Sequence, residues 1–131
     1  MSNRAPPKLP DLTGLTILVV DDDADSVDLL GTFLKACGAT ALVARSALEA
    51  FGHIDTTPKL DAVVTDLAMP HVDGVELARK VRAHGTRHSV PVVAVTGFYE
   101  DYPNAQEFDA YMRKPVNVDE LGRVIRSLTG R

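Results

Sequence analysis

Four places along this chain set a chemically capable polar residue at the end of an apolar run. Asp21 and Asp22 follow Ile17-Leu18-Val19-Val20. Asp66 follows Ala62-Val63-Val64-Thr65, Thr96 follows Val92-Val93-Ala94-Val95, and Lys114 lies just past Ala110-Tyr111-Met112. Where such runs are strands of one sheet, three carboxylates, a hydroxyl and an ammonium share one rim. Crowded carboxylates repel, and they stay ionised only if cations offset them. Lys114 brings one positive charge. A hard divalent ion, Mg²⁺ (or Mn²⁺), held by carboxylates, water and phosphate oxygens, is the natural second. The Thr96 hydroxyl can donate to a phosphate oxygen. An aspartate can act as a nucleophile and form an aspartyl phosphate, with the surrounding groups positioning the transferring group and neutralising its charge. This set therefore suits phosphoryl transfer to a carboxylate.

Each residue also has a plainer reading. Asp21 and Asp22 could cap the first helix, as Asp23 or Asp25 is expected to do. Asp66 could serve the turn before Met69-Pro70, Thr96-Gly97 could be an ordinary turn, Lys114 a surface lysine, and Tyr111 a packing residue. The chemical reading rests on all of them lying at one rim.

The elements that would place them there are legible as two kinds of run. The apolar runs, with a weaker one at Thr40-Ala41-Leu42-Val43-Ala44, mostly lack in/out alternation, as strands covered on both faces do. Between them lie helical stripes: Val27, Leu30, Leu34 and Cys37; Ala47, Ala50, Phe51 and Ile54; Leu77, Ala78 and Val81; Leu121, Val124, Ile125 and Leu128. Ser46 three before Glu49, Asp73 three before Glu76 and Asn117 three before Glu120 mark helix starts. Strands alternating with helices predict an α/β fold, a doubly wound five-stranded parallel sheet in a flavodoxin-like three-layer sandwich. The expected strand order is 2-1-3-4-5, a common order for doubly wound sheets, in which ligands sit at the strand carboxyl ends.

The bulk numbers bound the rest. At 131 residues, 45% hydrophobic and 24% charged, the chain suits one globular domain. Residues 1–13, with Pro6, Pro7 and Pro10, read as a flexible N-terminal arm, and 14–131 as the domain. A net charge of −4 argues against direct nucleic-acid binding through a basic patch. No apolar run approaches the ~20 residues of a membrane span, and one cysteine permits no internal disulfide. A reducing, cytoplasmic setting is expected. The histidines His53, His71, His84 and His88 read as surface residues, and Cys37 as core. Asp21-Asp22-Asp23-Ala24-Asp25 begins like a calcium loop, but Ser26 and Thr32 stand where Gly and Glu are needed.

Together, Ile17-Leu18-Val19-Val20-Asp21-Asp22, Val63-Val64-Thr65-Asp66-Leu67-Ala68-Met69-Pro70, Asp73-Gly74, Val95-Thr96-Gly97 and Tyr111-Met112-Arg113-Lys114-Pro115 resemble the response-regulator receiver domain of two-component signalling, from about Leu15 to Leu128. The resemblance implies Asp66 as phosphoacceptor. It implies Asp21, Asp22, Asp66 and the Ala68 backbone carbonyl as Mg²⁺ ligands, Lys114 as the phosphate-pairing cation, and Thr96 and Tyr111 as switch residues. It also implies a cis bond between Lys114 and Pro115. The implied partners are a histidine kinase or histidine phosphotransfer protein and a downstream protein target.

One stretch departs from the family. Only 18 positions separate Thr96 from Lys114, and Pro103 is costly inside a helix. A shortened or irregular fourth helix is expected, with Phe98, Tyr99 and Tyr102 as a candidate partner-binding patch. Glu107 stands where many relatives have glycine. Two other functions compete: a degenerate receiver that binds partners without phosphorylation, and an aspartate-nucleophile phosphatase using the Asp21-x-Asp23 spacing.

Overall fold

The computed structural model describes residues 9–69, 73–97 and 107–130. In chain order the elements are β1 (Thr16–Val20), α1 (Ala24–Ala36), β2 (Thr40–Ala44), α2 (Ala47–Thr56), β3 (Ala62–Asp66), α3 (Gly74–Ala83), β4 (Val92–Thr96), β5 (Ala110–Arg113) and α4 (Val118–Thr129). All strand pairs are parallel, in the expected order β2-β1-β3-β4-β5. β3 and β4 are buried along their whole length, which is why their sequences show no polar alternation.

Side chains alternate across the sheet and so feed two separate cores. On one face Leu18, Val20, Val63, Val92 and Ala94 pack with Ile54 of α2 and Leu77 and Val81 of α3. On the other, Ile17, Val19, Val64, Val93 and Val95 pack with Leu30 and Leu34 of α1 and Leu121 and Ile125 of α4. Cys37 is buried in this second core, as expected.

Among the described residues, three of the four helix starts follow the sequence signals. Ser46, Asp73 and Asn117 each accept the backbone N–H three residues on, at 3.1, 3.0 and 3.0 Å, satisfying a donor the helix leaves orphaned. The first helix differs. Asp23 occupies the cap position but its side chain makes no capping bond to the backbone; it accepts instead from the Ser26 hydroxyl at 2.6 Å.

The domain's packing begins ahead of Gly14, where the sequence pattern sets its boundary. Leu12 is fully buried and its N–H donates to Cys37 O at 2.9 Å. Pro10 lies over Gly122 so closely that a Cβ there would stand 2.7 Å from the proline ring. Prolines read as breakers, yet one that needs no N–H partner can still bury an apolar ring. The rest of the expected arm, residues 1–8, lies outside the described residues.

Two contacts of α3 hold opposite ends of the sheet, the first at the chemical rim. A Cβ on Gly74 would stand 2.5 Å from Asp66 O, so the first turn of α3 presses on the end of β3, and Gly74 N donates to Leu67 O at 3.0 Å. On the far side, Arg82 of α3 donates to Val90 O, Glu107 O and the Asp109 carboxylate at 2.6, 2.7 and 2.6 Å. The same Asp109 oxygen accepts from Val92 N at 2.8 Å. Arg82 thereby ties the approach to β5 against β4. The expected fourth-helix irregularity and the aromatics Phe98, Tyr99 and Tyr102 lie outside the described residues. Among the described residues no helix is long and apolar enough to cross a membrane.

Candidate functional site

The carboxyl ends of β1, β3 and β4 and the residue after β5 converge on one rim. Asp21 and Asp66 are buried, while Asp22 is exposed. One carboxylate oxygen from each of the three lies within 4.8 Å of the others. Lys114 reaches into this cluster, with its Nζ 3.2 Å from Asp21 Oδ2 and 3.4 Å from Asp66 Oδ2. The other Asp21 oxygen accepts from Asp23 N at 2.9 Å. Thr96 is fully buried, and the parallel register sets it beside Arg113. Its backbone carbonyl accepts from Lys114 N at 2.8 Å, which fixes where the lysine leaves the sheet. The peptide between Lys114 and Pro115 is cis, as expected.

The electrostatics follow from burial. Taking the Asp66 carboxyl out of water pushes its pKa up to about 6; the neighbouring Asp21 charge adds to the rise, and Lys114 and the Ala68 backbone N–H pull against it. For Lys114 burial alone would lower the pKa, but Asp66 and Asp21 outweigh it and hold the ammonium above its ordinary value. Three acids against one ammonium leave a formal deficit of two positive charges when all are ionised. Hard oxygen donors with that deficit fit a divalent cation, and this partly buried acidic cluster could hold one. Ala68, exposed and two residues past Asp66, stands next to the same position.

A raised carboxyl pKa carries a pH dependence of definite sign. The fold binds the Asp66 proton more tightly than the unfolded chain does. Stability is therefore fully present below the unfolded value near 4 and is lost as pH rises through about 6. In EDTA, urea unfolding of the protein should show roughly 2–3 kcal/mol less stability from this group at pH 7.5 than at pH 4. Asp66→Asn should remove that slope, and an unchanged slope in the variant would refute the assignment.

The remaining expected residues are placed less directly. Tyr111 is half-buried on the α2–α3 face, its ring 5.5 Å from that of Phe108 at 60°. His88 is exposed and His53 half-buried. His84 is half-buried too, with Nε2 3.5 Å from Asp55, and His71 lies outside the described residues. Asp23, which the phosphatase reading needs, is turned to Ser26. One residue that sequence reasoning passes over touches the site: Arg113 Nη1 lies 3.4 Å from Thr96 Oγ1 and 3.0 Å from Gly97 O. The cue is its place directly before Lys114, paired across β4–β5.

Comparisons with known proteins agree with this fold. Residues 17–126 match the family described as "Response regulator receiver domain". The chain is 40% identical over 120 residues to an uncharacterized 14.6 kDa protein in the sodA1 3′ region of Leptolyngbya boryana, covering 88% of this chain and 90% of that one. It is 31% identical over 123 residues to the response regulator Rre1 of Synechocystis, where the match covers 89% of this chain but only 52% of the relative. A receiver domain crystal structure from Clostridium thermocellum superposes with a TM-score of 0.80 at 27% identity, covering 89% of this chain and 95% of that one.

Proposed function

We propose, from the premise that this chain belongs to the response regulator receiver family, that Asp66 is the residue through which it takes up a phosphoryl group. Receiver domains of two-component systems are signalling modules, and the degenerate and phosphatase readings find no support in the relatives. The observation that carries the reading is a buried Asp66 with its pKa raised to about 6, beside two more carboxylates and within ion-pair distance of Lys114. That arrangement costs the metal-free fold stability, and the incoming chemistry relieves the cost.

The donor is the phosphohistidine of a histidine kinase or histidine phosphotransfer protein. An Asp66 carboxylate oxygen attacks phosphorus, the phosphorus–nitrogen bond breaks, and the imidazole leaves with the electron pair. Asp21, Asp22, Asp66 and the Ala68 carbonyl would hold Mg²⁺ (or Mn²⁺), which when bound would supply positive charge to offset that of the phosphoryl group. The Lys114 ammonium gives up its contact with Asp66 Oδ2 to pair with a phosphoryl oxygen. The Thr96 hydroxyl turns toward another, and Tyr111 follows it inward. The output is a protein contact, with no nucleic acid engaged directly and a cytoplasmic setting.

The test uses acetyl phosphate as a small donor. With Mg²⁺, intact mass should show one added phosphoryl group, and EDTA should reduce its uptake at least about tenfold, given what a bound cation contributes to such a transfer. No uptake with Mg²⁺, or equal uptake in EDTA, would remove the proposal.

A further inference from the structure

The Thr96 hydroxyl is already committed. Its Oγ1 donates to Gly97 O at 3.3 Å, and a hydroxyl has one proton to give. While that proton is spent on Gly97 O, it cannot be offered to a phosphoryl oxygen. The same oxygen accepts from Arg113 Nη1 at 3.4 Å, and the same nitrogen donates to Gly97 O at 3.0 Å. One guanidinium nitrogen thus holds both ends of the hydroxyl's hydrogen bond. The register makes this possible: Thr96 and Arg113 are direct partners across β4 and β5. A guanidinium presents its donors in a rigid plane, which suits it to contact both oxygens at once.

We propose that Arg113 is a positioning residue that acts through Thr96, keeping the hydroxyl turned to Gly97 and so opposing the rearranged form of the domain. This rests on the reading that Asp66 takes a phosphoryl group and Thr96 answers it. Two states differing by one such contact are biased by its free energy, and whatever stabilises the second must first outweigh it. Arg113 therefore sets how much of the unphosphorylated protein already has its hydroxyl free.

Two measurements test this. The first needs no phosphoryl donor: three-bond couplings to the Thr96 methyl carbon report its χ1 populations. A single rotamer is expected in the native protein, and a mixture in Arg113→Met. Identical couplings in both overturn the proposal. The second is the initial rate of uptake from acetyl phosphate with Mg²⁺. Arg113→Met should be roughly fivefold faster, the worth of about one net hydrogen bond. The gain should vanish in a Thr96→Ala background, where there is no hydroxyl to release. A slower Arg113→Met protein would mean that the guanidinium attracts the donor instead, and an equal gain in both backgrounds would mean that it acts elsewhere; either overturns the proposal. If the rotamer mixture appears but the native protein takes up no phosphoryl group, the assignment of Asp66 fails and the hold on Thr96 stands.

Discussion

Asp66→Asn abolishes phosphoryl uptake from acetyl phosphate while leaving a protein that resists urea better than the native one in EDTA at pH 7.5. The two halves of this expected result have one cause. Asp66 is buried beside Asp21, and its raised pKa records the cost of ionising it there. Asparagine keeps the shape, loses the charge and therefore loses the cost, roughly 2–3 kcal/mol at a pH above 6. It also loses the nucleophile, so intact mass should show no added phosphoryl group. Loss of uptake together with a gain in stability separates lost chemistry from lost folding. A variant that unfolds earlier than the native protein would show that the charge at 66 is held at no cost, contrary to the geometry.

Lys114→Met is the other large change. The lysine contacts both buried acids, at 3.2 Å from Asp21 and 3.4 Å from Asp66. Removing one partner of a buried ion pair costs about 3–5 kcal/mol in general. Here the loss should be smaller, about 2 kcal/mol, because a third of the lysine side chain is exposed and solvent screens it, and because Asp66 can take up a proton. Uptake of the phosphoryl group should slow by about 10²-fold or more, the usual worth of a charge aimed at a transferring group. Added Mg²⁺ should restore much of the stability and little of the rate. Urea titrations with and without Mg²⁺, beside timed intact-mass measurements, read both. A rate within about twofold of native, far short of that loss, would place Lys114 outside the chemistry.

The sheet and its chemical rim are legible in the sequence because burial on both faces leaves unbroken apolar strands. The first polar residue after such a strand then marks its carboxyl end. Asp21, Asp66 and Thr96 are found this way, and three helix starts follow from cap residues at the right spacing. Contacts between elements are not legible in the same way. Leu12 sits near prolines, and the segment packs through the close approach of Pro10 to Gly122 and the bond from Leu12 N–H to Cys37 O. Asp23 reads as a cap, but a serine three residues on competes for its carboxylate. Arg113 looks like an ordinary polar residue at a strand end until the β4–β5 register sets it against Thr96. Arg82 is likewise a helix-surface arginine by pattern, and its role depends on carbonyls outside its own helix.

The most direct test locates the phosphoryl group chemically. Treating the phosphorylated protein with borohydride reduces an aspartyl phosphate to homoserine, and peptide sequencing by mass then reads its position. Homoserine at residue 66 alone is the predicted result. Homoserine at residue 21 or 22, or a phosphoryl group that resists reduction on another side chain, would contradict it.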